Sequence, residues 1–439
     1  MKPRIFTHIA ATTLFAALLT VSPVAAQDGS TLSSAPRQYT VQVLPSLGGL
    51  GGAFSINNLG WASGVSEPPG NPYDRAFLWR NGQATDLGTL GGYNSSVAFP
   101  NKNEIGWLAG ASETGGNDPF QENFCQFICS SPTGACLPLN QICKGFLWRN
   151  ETSEMIPLPP LPGGNNSWAF GANNQHQVVG VAENGVQDSN CAAPQVFDFE
   201  GVIWALGPSG APFVSQRLPP IAGDTASAAI EINEKGDAVG GSGPCGSVGL
   251  AVGAHAVLWR GGRAIDLGSL GGATNNAAEA LNNQGQVGGI SDLPGDQVAH
   301  AFLWEGGVMR DLGVLRSDDT FALAESINDR GEVVGLSCGP VDCRGFHWQA
   351  GVMTDLNSVL PANSPLLITN AADINSRGEI AVQAYDSNVG DSVAAVLIPI
   401  TNSAGPDAGV AEIRNVERNI TLPENVRKRL RDRMHLGHF

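Results

Sequence analysis

The sequence predicts an all-β fold, a seven-bladed β-propeller of four-stranded blades, on three observations. A four-element pattern recurs through the body of the chain at intervals of about 45 residues, the size of one propeller blade. The favoured residues are those of strands and tight turns, with 56 glycines among 439 residues and asparagine, valine and aromatics between them. The pattern is also incomplete at both ends, and the two fragments add up to one whole blade.

The first element ends in an asparagine turn, seen in Ile56-Asn57-Asn58-Leu59-Gly60, Ile232-Asn233, Leu281-Asn282, Ile327-Asn328 and Ile374-Asn375. Weaker copies are expected at Pro100-Asn101 and Ala172-Asn173. The second follows the turn and ends near Gly and Ser, as in Val333-Val334-Gly335-Leu336-Ser337. The third is an aromatic strand, in copies such as Phe77-Leu78-Trp79, Phe146-Leu147-Trp148, Val257-Leu258-Trp259 and Phe302-Leu303-Trp304. The fourth is Asp86-Leu87-Gly88-Thr89-Leu90-Gly91-Gly92, echoed from Asp266, Asp311 and Asp355. Short, β-branched or aromatic segments bounded by Asn and Gly are strands joined by tight hairpins.

The chain enters with Tyr39 to Leu44 and Pro45-Ser46-Leu47-Gly48-Gly49, a fourth element without the first three. It leaves at Val393 to Ile400 without a fourth element. The N-terminal strand is therefore expected to complete the last blade, which an open solenoid with polar caps would not require.

The string His300-Ala301-Phe302-Leu303-Trp304, with the Asp-Leu-Gly-x-Leu-Gly-Gly copies, resembles the HAF-type extracellular repeat of bacterial secreted proteins. The likeness covers residues 39–400. It departs at Pro157-Leu158-Pro159-Pro160 and Leu218-Pro219-Pro220, where the Asp-Leu-Gly copy is replaced. The resemblance implies repeat type and compartment and transfers no catalytic residue.

Outside residues 39–400 the chain reads as three further segments. Residues 1–26 form a signal peptide: Lys2 and Arg4 precede the apolar run Ala10 to Val21, and Val24-Ala25-Ala26 sets a cleavage site. That run is too short to span a bilayer, so the protein is expected to be exported and not integral to a membrane. Residues 401–422 are a linker. Residues 423–436 form a short basic C-terminal helix, with a capping box at Thr421-Leu422-Pro423-Glu424 and Leu422, Val426, Leu430 and Met434 along one face. It is either docked on the acidic body or an amphipathic membrane-surface element.

Charge divides accordingly. The body from Gln27 to Ala411 has 15 basic against 36 acidic residues, a net of −21, and the tail from Glu412 is +3. An acidic body argues against nucleic acid as partner.

Strands in a blade alternate direction, so both short turns share one face. The crossovers and the second-to-third-strand loops share the other, and every long insertion lies in these loops: Glu67–Arg75, Glu113–Lys144, Glu183–Gly201 and Gly243–His255. Recognition usually sits on loops carried by a rigid scaffold, so this face is the candidate binding surface. All eight cysteines fall in the same loop class: Cys125, Cys129, Cys136, Cys143, Cys191, Cys245, Cys338 and Cys343. An even count in an exported chain reads as disulfides. Cys338 and Cys343 would pair locally, Cys191 and Cys245 could staple neighbouring blades, and the four in the second blade allow three connectivities. A zinc site from Cys125, Cys129, Cys136 and Cys143 has poor spacing.

Glu67, Glu113, Glu183 and Asp292 occupy one repeat position at the exit of the second strand. They are either solvated loop acids or a rim able to hold Ca²⁺ or a basic ligand. Trp61, Trp107 and Trp168 lie outside the aromatic-strand positions and either pack in the core or stack on a sugar. His255, His300 and His347 fall at repeat positions and His176 at a turn-glycine position; none belongs to a catalytic motif. The expected function is a monomeric secreted binding protein that engages a glycan, a cell-envelope component or a protein, without a cofactor unless Ca²⁺ is held at the rim. The alternative is a propeller enzyme on extracellular glycans, with rim carboxylates such as Glu67 or Glu113 as general acid and base.

Overall fold

The computed structural model describes residues 37–49, 51–70, 73–125, 140–245, 253–400, 422–424 and 426–427. The chain divides after Pro36, and the fold below is that of the unit beginning at Arg37. The signal-peptide and linker expectations fall outside the described residues.

Among the described residues the structure is all-β, a β-propeller built of four-stranded antiparallel sheets. In one sheet Gly51–Ile56, Ala62–Ser66, Arg75–Arg80 and Gln83–Asp86 follow one another as a meander, and the same order recurs along the chain. Two such groups, Asn276–Gly313 and Phe321–Asp355, are joined in one eight-stranded sheet by a single parallel pairing, Ala299 with Phe321. The N-terminal strand Tyr39–Val43 pairs antiparallel with Asp391–Pro399 and supplies the outer strand of the last sheet. Leu44, Ala53, Ile56, Phe77 and Trp79 then pack with Ala381, Ala394 and Val396, bringing the first and last sheets into one apolar cluster.

The turns follow from their residues. Hairpins after the aromatic strands in the first and fourth sheets are two-residue loops with positive φ at both positions: Asn81 at 50° and Gly82 at 81°, Gly261 at 56° and Gly262 at 77°. That is the turn whose twist matches the strands. In the asparagine turn, Asn57 Oδ1 accepts the N–H groups of Leu59 and Trp61 at 3.0 Å each. Its Nδ2 donates at 3.0 Å to the Asn103 carbonyl of the following sheet.

This last bond repeats around the molecule. Asn103 donates to Ala172, Asn173 to Asn233, Asn233 to Asn282, Asn282 to Asn328, Asn328 to Asn375, and Asn375 back to Asn57, all at 2.9–3.2 Å. In the second sheet the ring member is Asn103, not the expected Asn101, because Asn103-Glu104-Ile105-Gly106-Trp107 is the true copy of Asn57-Asn58-Leu59-Gly60-Trp61. Pro100 has no N–H for the ladder, and the inner strand is only Ser95–Ser96. Asn101 instead pairs through its side chain with the backbone of Ala109.

Tryptophans of the aromatic strands fill the space between sheets. Trp204 and Trp259 are fully buried and donate their indole N–H to the carbonyls of Pro159 and Pro219 at 2.8 Å. The proline-rich segments that replace the Asp-Leu-Gly copy thus receive a neighbour's indole. Burying about 200 Å² for each such ring stabilises the fold by up to about 5 kcal/mol.

Inner strands carry a β-bulge at one repeat position, leaving Phe54, Phe170, Ile230, Glu279 and Glu325 without a ladder partner. Opposite the bulge the second strand carries glycine. A Cβ on Gly240 or Gly289 would collide with the carbonyl of Ala228 or Ala277. A bulge re-aims the extra side chain, here away from the ladder of its own sheet.

At the C-terminal end, the Pro423 carbonyl accepts from Val426 and Arg427 N–H at 3.0 and 2.9 Å, the first turn of the expected helix. Leu422 and Val426 are buried against Leu367 and Tyr385 of the last sheet. The rest of the tail lies outside the described residues.

Candidate functional site

The long-loop face is held together by the acids expected to form an open rim. Glu113 is buried; its Oε2 accepts the backbone N–H of Tyr93 and Asn94 at 3.1 and 3.0 Å, and its Oε1 accepts Asn94 Nδ2 at 3.0 Å. Glu183, fully buried, takes Asn165 N–H, Asn166 N–H and Asn166 Nδ2 at 2.9 Å each, and Gln195 Nε2 at 3.2 Å. Asp292, also buried, accepts from the Thr274 hydroxyl at 2.7 Å and Asn275 N–H at 2.8 Å. Each acid therefore clamps the crossover loop of its own sheet.

The second glycine of the Gly-Gly pair is required for that clamp. A Cβ on Gly92 or Gly272 would collide with the Cβ of Glu113 or Asp292. Glu67 stands in the same relation to Gly49. Glu113, Glu183 and Asp292 are thus neither solvated loop acids nor an open ring of cation ligands, because buried carboxylates are stable only when their oxygens are hydrogen-bonded. Among the described residues, the one group of three potential metal ligands is Cys191, Asp198 and Cys245, and both sulfurs are in a disulfide.

Three disulfides are present among the described residues. Cys125 bonds Cys143 within one loop, Cys338 bonds Cys343 across a hairpin, and Cys191 bonds Cys245 between the third and fourth sheets. Cys129 and Cys136 lie outside the described residues. Between the stapled loops sits a buried acidic cluster. Glu122 Oε1 accepts Val196 and Phe197 N–H at 2.7 and 2.9 Å, and burial together with Glu183 pushes its carboxyl up to about 7.

The same face carries exposed aromatics. Tyr73 and Tyr93 stack with centroids 4.6 Å apart and planes 28° apart, and Tyr93 is 46% exposed. Phe120, 41% exposed, packs edge-on against Phe197. In contrast Trp107 and Trp168 are buried in the core, and Trp61 lies beneath the Arg80 guanidinium at 5.2 Å. His176 takes positive φ (61°) at its turn and meets Trp107 edge-on. His255 and His300 pair with Asp224 and Asp311 at 3.0 and 2.9 Å.

At the asparagine-turn end, a polar cavity of about 210 Å³ lies inside the ring, lined by Asn57, Asn58, Glu104, Asn174, Glu234 and Asn283 among others. Lys102 lines it too, donating to the Ile327 carbonyl at 2.8 Å and pairing with Glu231 Oε1 at 2.7 Å. Glu231, Glu279, Glu325 and Asp373 belong to inner strands, and burial raises the carboxyl of each: Glu231 to about 7, Glu325 to about 8. Sequence reading singled out none of these four. Their signal is an acid set among small apolar residues just before the asparagine turn, as in Ala277-Ala278-Glu279-Ala280-Leu281.

No known protein-family model matches the chain, and no characterised protein matches it by sequence. Among solved structures it is similar to the β-propeller domain of the Trilobed protease from Pyrococcus furiosus, at 9% identity and TM-score 0.45, over 77% of this chain and 91% of that one. It is also similar to an acylaminoacyl peptidase from Pyrococcus horikoshii, at 10% identity and TM-score 0.44, over 78% of this chain and 52% of that one. No helix of the described residues is long and apolar enough to cross a membrane.

Proposed function

We propose that the protein is an exported, seven-bladed propeller of the HAF-repeat kind that binds an extracellular carbohydrate through its long-loop face. The count of seven is supported by the seven asparagine bonds of the ring and by reading the eight-stranded sheet as two blades. Export is supported by the disulfides.

The observation that carries the binding reading is the Tyr73–Tyr93 stack. Two rings held at the surface offer the apolar face and polar edge on which a sugar ring stacks. The backbone of Tyr93 is fixed by the buried carboxylate of Glu113, so the ring is presented on a rigid base. Cleavage of a glycan would need an accessible carboxylate pair about 5–9.5 Å apart, whereas Glu113 and Glu183 have their oxygens committed to the loops.

A glycan array followed by calorimetry on the mature chain tests this. Tyr73→Ala and Tyr93→Ala should each weaken binding about tenfold, equivalent to about 1.4 kcal/mol, without changing the melting temperature. Absence of glycan binding by the intact chain, or unchanged affinity in the double variant, overturns the reading. Release of shortened glycan during the same incubation would favour the enzyme.

A further inference from the structure

The cavity inside the asparagine ring is walled by the residue that follows each ring asparagine, and three of these are acids: Glu104, Glu234 and Asp329. Asparagine amides hold them in place. Asn58 Nδ2 donates to Glu104 Oε1 at 2.6 Å, and Asn174 Nδ2 donates to Glu104 Oε2 at 2.7 Å and to Glu234 Oε1 at 2.8 Å. Asn283 Nδ2 donates to Asp329 Oδ2 at 3.0 Å. A single amide, that of Asn174, therefore sets the Glu104 and Glu234 carboxylates side by side.

The wall leaves both charge and hydrogen-bonding capacity unused. Among the described residues none of the three acids has a lysine or arginine partner. Glu234 uses only Oε1, which also accepts Asn174 N–H at 3.1 Å, so its Oε2 has no donor among the described residues. Lys102 is the cation of the lining, and an ammonium has three N–H donors. One goes to Glu231 Oε1 at 2.7 Å and one to the Ile327 carbonyl at 2.8 Å. The third has no acceptor among the described residues.

Three wall carboxylates against one ammonium that is already paired give the lining a net negative charge, which favours a cation. A bare metal ion fits poorly. The three carboxylates do not come within 4.8 Å of one another as a set, whereas a chelated Ca²⁺ draws its oxygens to about 2.3–2.6 Å from the ion. The guest must instead span the lining, with N–H groups for the paired carboxylates and an oxygen for Lys102. The volume of about 210 Å³ is below the ~300 Å³ at which pockets for drug-sized ligands begin, so the guest has few heavy atoms.

We propose that this cavity binds a small organic ammonium ion bearing a hydroxyl, its N–H groups donating to Glu104 and to Glu234 Oε2 and its oxygen accepting from Lys102. The site shares no residue with Tyr73 and Tyr93 and does not depend on the carbohydrate reading.

The test titrates the full mature chain by calorimetry with ethanolamine, with ethylamine, which lacks the hydroxyl, and with ethylene glycol, which lacks the charge. One ethanolamine should bind per chain, ethylamine more weakly and ethylene glycol not at all. Glu234→Gln keeps the Oε1 acceptor that Asn174 uses, so it should melt with the parent and weaken ethanolamine binding about tenfold. Glu154→Gln, on the outer strand Glu154–Pro157, should leave the affinity unchanged. No ethanolamine binding at about 10 mM, equal affinity for ethylene glycol, or undiminished affinity in Glu234→Gln overturns the proposal. Equal weakening by Glu154→Gln does the same, because it would show general attraction to an acidic body. Equal affinity for ethylamine overturns the contact with Lys102.

Discussion

Asn375 Nδ2 donates to the backbone carbonyl of Asn57 at 3.0 Å, joining residues 318 positions apart. The same side chain uses Oδ1 to accept the N–H groups of Arg377 and Glu379 at 2.9 and 3.1 Å, so it builds its own turn and closes the ring together. Asn375→Ala removes these three bonds and a fourth, from Nδ2 to Glu379 Oε2 at 2.7 Å, at a buried site and should cost about 2–4 kcal/mol, read as a lower urea midpoint. Asn282→Ala, with the equivalent bonds inside the chain, should cost about the same. Unchanged midpoints in both would show that the ring contributes nothing to stability.

The three disulfides among the described residues should rank by the chain they close. Cys191–Cys245 spans 54 residues, Cys125–Cys143 spans 18 and Cys338–Cys343 spans 5. Loop-closure entropy gives upper values of about 4, 3 and 2 kcal/mol in that order. Paired Cys→Ser variants, compared by chemical denaturation, check the ranking. An equal loss for all three would mean that native-state contacts, not restriction of the unfolded chain, set their contribution.

Turn chemistry was the most legible layer in the sequence, because Asn57, Asn81 and Gly82 each occupy a position that few other residues can adopt. The alternation of strand direction likewise placed every long insertion on one face. What escaped was the partner of each polar group. Glu113 and Asp292 look like exposed loop acids when only their repeat position is known. Their burial depends on Gly92 and Gly272, which lie about 20 residues away and let a crossover backbone descend onto them. The inner-strand acids escaped for a related reason: period-two alternation does not register a bulge, which leaves Glu279 and Glu325 without a ladder partner.

Stability should fall as pH rises from about 5 to about 8. Burial raises the carboxyls of Glu231 and Glu122 to about 7 and of Glu325 to about 8. In that window the native state binds more protons than the unfolded chain, so the free energy of unfolding decreases with pH. The limiting slope is about 1.4 kcal/mol per pH unit for each group. Glu332 acts in the opposite sense at lower pH. Burial opposes its ionisation, but His347 at 3.8 Å, hydrogen bonds from Asn328 and Arg330, and Arg37 at 2.7 Å hold it well below the usual carboxylate range. Its contribution is lost only as pH falls below about 4.5. Melting scans from pH 4 to 9 should therefore peak near about pH 5. A maximum near about pH 8 would contradict the assignment of buried, proton-binding acids.

Two clamping acids should separate stability from recognition. Glu113 and Glu183 make the same kind of contact, each oxygen taking N–H groups of a crossover loop. Glu113→Ala and Glu183→Ala should both destabilise by about 2–4 kcal/mol, since buried donors lose their acceptor. A solvated rim acid would change stability by no more than about 0.5 kcal/mol. Only Glu113 holds the backbone of Tyr93, so only its replacement should also weaken glycan binding at a temperature where both variants remain folded. Equal weakening by the Glu183 variant would move the ligand toward the stapled third and fourth sheets, where Cys191 meets Cys245, and away from the tyrosine pair.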